Sequence, residues 1–77
     1  MQERIEKIFS GLFGVSREAC TDTLSPKDVE AWNSVYHLTL VMSLEEEFGV
    51  QFSPEEIVEL DSVGAVKAKL AQHGVAR

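Results

Sequence analysis

Apolar side chains recur along this chain at helical rather than alternating spacing. Ile5, Ile8, Phe9, Leu12 and Phe13 fall at i, i+3, i+4, i+7 and i+8, a single stripe that predicts a helix from about Gln2 to Phe13, with Gly14 as its stop. A connection rich in Ser, Thr and Asp follows, from Val15 to Asn33. Within it "SPKD" predicts one helical turn, with Ser25 as N-cap, Pro26 at the first position and Asp28 in the first turn. Leu24, Val29 and Trp32 are the residues expected to pack this long loop onto the body. A second helix is expected from Ser34 to near Phe48, stopped by Gly49. "SPEEIVEL" predicts a short third helix, because Ser53 can cap it, Pro54 suits its first position and Glu56 can close a capping box. The last helix is expected from about Val63 to Gln72, between Ser62 as cap and Gly74 as terminator. Val63, Val66 and Leu70 would face inward, with Ala65 and Ala68 at points of close packing. No strand or internal repeat is evident. The pattern predicts an all-α bundle of three principal helices plus one short helix, forming one domain over residues 1–77.

The second helix carries one apolar surface more than a small bundle requires. At about 100° per residue, Leu40, Val41, Leu44 and Phe48 share an arc that also holds His37, and this arc is expected to be the core face. Val35, Leu38 and Met42 form a second stripe, displaced well away from the first, with Glu45 and Glu46 flanking it further along. Either the third helix and the long loop cover this stripe, or it is a docking surface rimmed by acids, with a methionine that adapts to different partners.

Size and charge narrow the choice of function. A chain of 77 residues buries only about 60% of the surface its unfolded form exposes, which leaves little room for an enclosed active site. No apolar run approaches the roughly 20 residues that span a bilayer, and "MQERIEKIFSGLFGV" lacks the shape of a signal peptide. A lone cysteine, Cys20, fits a reducing, cytoplasmic setting. The formal net charge is −6, and from Asp28 to Val66 nine carboxylates occur without one lysine or arginine. Nucleic-acid phosphates need those bases. An acidic face would attract basic patches on protein partners instead, or simply keep a small protein soluble.

Ser34 stands at the start of the second helix, between its two apolar arcs. A serine there is ordinarily a cap. It would also be a favourable attachment point for a phosphate ester, because the unpaired N–H groups and positive dipole end of a helix N-terminus stabilise an anion. Asn33 could then cap the helix and leave the Ser34 hydroxyl free.

The stretch "NSVYHLTLVMSLEEEFGVQFSPEEIVELDSVGAVKAKL" closely resembles acyl carrier proteins, most strongly from Trp32 to Val63. In that family a D-S-L motif opens the second helix and its serine carries 4′-phosphopantetheine. The resemblance therefore implies an acyl-carrier-like bundle, a phosphopantetheine arm on Ser34 flanked by Asn33, and a docking surface of Val35, Leu38, Met42, Glu45 and Glu46. It also implies a phosphopantetheinyl transferase as one partner, and acyl-loading and acyl-transferring enzymes with basic patches as others. The carrier would be a monomer, without nucleic acid or membrane, and would hold acyl or aminoacyl groups as thioesters for fatty-acid, polyketide or related biosynthesis. The departures are informative. Asn33 replaces the family's aspartate, which helps position the transferase's metal ion, and this implies slower loading or a particular transferase. Val35 replaces the leucine, and Tyr36 and Thr39 stand where housekeeping carriers place acids. "WNSVYHL" is similar to the W-D-S-L-x-H text of stand-alone carriers of specialised pathways, and the G-G-x-S opening of peptidyl carriers is absent.

Other chemistry finds less support. Ser34 and His37 lie one turn apart, but a hydrolase also needs an orienting acid, an oxyanion site and a pocket. His37 is expected to pack near Trp32 with a ring nitrogen bonded to the loop, and His73 to be solvated in the C-terminal tail. Glu45, Glu46 and Glu47 lack the alternating oxygens and central glycine of a calcium loop, so no metal site is expected. Cys20 has no CxxC companion and reads as structural. The expected function is that of a non-catalytic carrier. An unmodified adaptor that keeps only the carrier's binding surface is the alternative, and Asn33 is the feature that favours it.

Overall fold

The computed structural model describes residues 2–75; Met1, Ala76 and Arg77, which belong to the expected domain, lie outside the described residues. Four α-helices follow one another, α1 Gln2–Phe13, α2 Ser34–Phe48, α3 Pro54–Glu59 and α4 Val63–Gln72, and no strand occurs among the described residues. Their limits coincide with the local stop and start signals. Gly14, Gly49 and Gly74 all take positive φ, where a side chain would be strained. Ser53 and Glu56 form the reciprocal capping box of α3, and Ser62 caps α4 by accepting the Ala65 N–H.

One hydrophobic core joins the elements. Ile5 and Phe9 of α1, Leu40, Val41 and Leu44 of α2, Leu60 after α3, and Val63, Val66 and Leu70 of α4 are buried together. Leu24, Val29 and Trp32 bury themselves in the same core and carry the long connection with them. Phe48 is half-buried and lies under the Arg4 guanidinium, 4.5 Å from its ring centre.

The connection differs from expectation in two places. Arg17–Ala19 forms a 3₁₀ turn capped by the Ser16 hydroxyl, an element too short for periodicity to reveal. "SPKD" makes a hydrogen-bonded turn rather than a helical one. The Asp28 N–H donates to the Ser25 carbonyl at 2.9 Å, and the Lys27 N–H donates to Ser25 Oγ at 3.3 Å. Farther on, the loop carbonyls of Leu24 and Asp22 accept the N–H groups of Val63 and Gly64 at 3.0 and 2.9 Å, satisfying donors that the first turn of α4 leaves unpaired. A Cβ on Gly64 would sit 3.0 Å from the Asp22 carbonyl oxygen, so the tight approach in α4 is made at Gly64. Ala68, expected at a point of close packing, is exposed. Its direction is far from that of Val63, Val66 and Leu70 around a helix of 3.6 residues per turn.

Candidate functional site

The start of α2 is organised by Asn33. Its backbone is extended and its Oδ1 accepts the N–H groups of Val35 and Tyr36, both at 3.1 Å. The cap is therefore supplied from outside the helix. Ser34, the first helical residue, is exposed, and its hydroxyl makes no hydrogen bond among the described residues. No acidic side chain lies in the first turn to offset the positive end of the helix dipole. A nucleophilic hydroxyl is thus presented where a phosphate ester would be stabilised.

Behind Ser34, Trp32 and His37 form a joined pair. Their rings stack at 20° with centroids 6.2 Å apart, and the indole Nε1–H donates to His37 Nδ1 at 2.9 Å. Indole nitrogen can only donate, so Nδ1 is the acceptor and the imidazole proton resides on Nε2. From there it is donated across to the Ile57 carbonyl of α3 at 2.8 Å. The expected packing against Trp32 is observed, and the second bond runs to α3. Trp32 also meets Phe9 and Phe13, each with ring centroids at 5.4 Å.

A groove of about 520 Å³ opens beside the serine. Trp32, Leu38, Val58 and Pro26 give it apolar walls; Asn33, Ser34, His37 and Asp61 give it polar edges. This volume falls within the range of about 300–1,000 Å³ typical of small-molecule sites. Leu38 of α2 and Val58 of α3 flank it and are 56% and 77% exposed.

The second stripe of α2 is uncovered. Val35 is 71% and Met42 66% exposed, and neither α3 nor the long connection screens them from solvent. Tyr36, half-exposed, extends this apolar surface towards Phe13. Every large exposed hydrophobic among the described residues lies on α2 or at Val58. Of the flanking acids, Glu46 is exposed. Glu45 is turned partly inward, and its carboxylate accepts the Phe52 N–H at 2.9 Å, which fastens the connection after α2. Glu47 pairs with Arg4 at 2.7 Å.

That Val58, Pro26 and Asp61 line the groove escaped the reading of the sequence. For Val58 a signal existed: Ile57 and Leu60, three apart, turn to the core, which leaves Val58 on the opposite side of so short a helix. His73 departs from expectation as well. Instead of being merely solvated, its Nε2 lies 2.8 Å from Glu56 Oε2 and its ring meets Phe52 edge-on. Glu56, also accepting the Ser53 N–H, has its carboxyl held below the usual range, first by that backbone bond and then by the bond to His73. Cys20 is buried, with its thiol pKa raised by desolvation and by the nearby Glu6 carboxylate.

Residues 3–70 match the family model described as "Phosphopantetheine attachment site". The match covers most of the chain, and the protein belongs to this family of phosphopantetheine-bearing carriers, the acyl carrier proteins among them. The family's group is 4′-phosphopantetheine, attached covalently, and the free hydroxyl of Ser34, a helix start without an acid in its first turn and the adjacent groove fit such a group.

Proposed function

We propose that Ser34 is the attachment residue and that the protein is a stand-alone carrier for a specialised biosynthetic pathway. The observation that carries this reading is the exposed Ser34 hydroxyl, released from capping by Asn33. In loading, Ser34 Oγ attacks the β-phosphorus of coenzyme A. The phosphoanhydride bond breaks, a phosphodiester to serine forms, and adenosine 3′,5′-bisphosphate leaves, the serine proton passing to the transferase. The arm's terminal thiol supplies the chemistry, holding acyl or aminoacyl groups as thioesters.

Once Ser34 is loaded, the chain's own residues position the cargo rather than react with it. Both nitrogens of His37 are engaged, and the Cys20 thiol is buried and held in its neutral form, so neither is available as base or nucleophile. Tethering raises the effective concentration of the cargo at each partner enzyme. Val35, Leu38 and Met42 dock those partners, with Glu46 and the outer edge of Glu45 attracting Lys/Arg patches around the apolar centre. A monomer working in the cytoplasm accords with the single buried thiol.

Asn33 had favoured an unmodified adaptor. Its cap geometry is one that aspartate would share, so the replacement preserves the helix start and removes only a charge. Intact mass after incubation with coenzyme A and a broad-range phosphopantetheinyl transferase tests the proposal. One phosphopantetheine is expected on the wild type and none on Ser34→Ala; addition that persists in Ser34→Ala overturns the assignment.

A further inference from the structure

The groove beside Ser34 has an inner wall held by two hydrogen bonds. Trp32 is buried against Phe9 and Phe13, and it fixes His37 through the indole N–H at 2.9 Å. His37 in turn ties α2 to the Ile57 carbonyl of α3 at 2.8 Å. Farther inside, Leu40, Leu44, Leu60, Val63, Val66 and Leu70 are wholly buried. A chain entering between α2 and α3 would have to part the His37–Ile57 bond and displace close-packed side chains. Both steps are unfavourable, since the first gives up a hydrogen bond between partly buried groups and the second overfills a close-packed core. The groove outside this wall offers apolar contact without either step, at Leu38 and Val58.

We infer that Trp32 and His37 form a fixed wall that keeps cargo in the surface groove, so that this carrier suits short acyl groups rather than long chains inserted into its core. The inference rests on attachment at Ser34. His37 is here a positioning residue: it sets the depth of the groove by holding α3 against α2.

The test uses methyl-labelled protein loaded from butyryl-, octanoyl- and dodecanoyl-coenzyme A, with loading verified by intact mass and the methyl resonances followed by NMR. Butyryl cargo is expected to shift the Leu38 and Val58 methyls, while those of Leu40, Leu44 and Leu60 keep their unloaded positions at every chain length. In His37→Ala, dodecanoyl cargo is expected to move the core methyls as well, and His37→Gln, which keeps a donor and an acceptor, should move them less. Core methyls of the wild type that shift progressively with chain length overturn the inference, as does a folded His37→Ala whose core stays unmoved. Should His37→Ala fail to fold, the wild-type series decides alone. Failure of the transferase to load the protein counts against the carrier reading instead. The wall is then tested by joining propyl, octyl and dodecyl thiols through a disulfide to Ser34→Cys, using alkyl methanethiosulfonates that release methanesulfinate. Cys20, buried and with its thiol pKa raised, is expected to stay unreacted.

Discussion

The two apolar faces of α2 have similar composition and opposite fates. Leu40, Val41 and Leu44 are buried in the core, whereas Val35, Leu38 and Met42 on the same helix stand in solvent. Hydrophobicity therefore does not decide which face folds the protein. Partners do: the first face meets α1, α4 and the residues around α3, while the second lies largely in solvent, with Leu38 at the edge of the groove. Exposing three large apolar side chains in one stripe opposes solubility, and such patches persist where another molecule uses them.

The comparison breaks most visibly at its buried end. Leu44→Ala should cost roughly 2–5 kcal/mol, through lost burial and the cavity left behind, enough to unfold much of so small a domain. Urea or thermal denaturation measures this; a cost comparable to that of Met42→Ala would mean that both faces are core. The helix start should come next. Removing the cap in Asn33→Ala is expected to cost about 1 kcal/mol, while Asn33→Asp keeps the cap, and the added charge should speed loading by the transferase. A slower or unchanged loading rate for Asn33→Asp would show that the missing carboxylate does not limit modification.

On the exposed face, Met42→Ala should alter stability by less than about 0.5 kcal/mol, yet impair acyl transfer to a partner enzyme. Normal transfer by this variant would remove the docking role of the stripe. Charge reversal at Glu46 should slow association with that partner without lowering Tm, and the binding should weaken as salt rises. Salt-independent association would argue against steering by acids.

The smallest effect concerns the anchoring of α3, whose Val58 faces the groove. Glu56 has a folded-state pKa below its unfolded value, so its contribution to stability is present above the ordinary glutamate range of about pH 4.3. It is lost as pH falls through the lower folded value. The stability difference between wild type and Glu56→Gln should accordingly shrink as pH falls below that range. A difference that grows as pH falls below about 4.3 would reverse the sign and contradict the bonds that lower the Glu56 pKa.

Much of this molecule is written locally. The limits of α1, α2, α3 and α4 are legible because caps and stops act over three or four residues: Ser53 on Glu56, Ser62 on Ala65, and a glycine where the chain must take positive φ. The exposed serine beside a capping asparagine is legible for the same reason. The arc of Leu40, Val41 and Leu44 is legible as the core face; what periodicity leaves open is whether the second arc is covered as well, since both satisfy the helical repeat. Only the resting places of α3 and the long connection, which leave Val35 and Met42 in solvent, settle that. The same holds for Glu45, whose carboxylate finds the Phe52 N–H seven residues away, and for His37, which finds the Ile57 carbonyl twenty residues away. Such bonds depend on where whole elements come to rest. The sequence by itself determined the four helices, their ends and the presented serine, because these follow from neighbours along the chain. The tertiary structure decided whether the second face is covered, which acid turns inward and how the groove is walled, because those contacts join residues that only folding brings together.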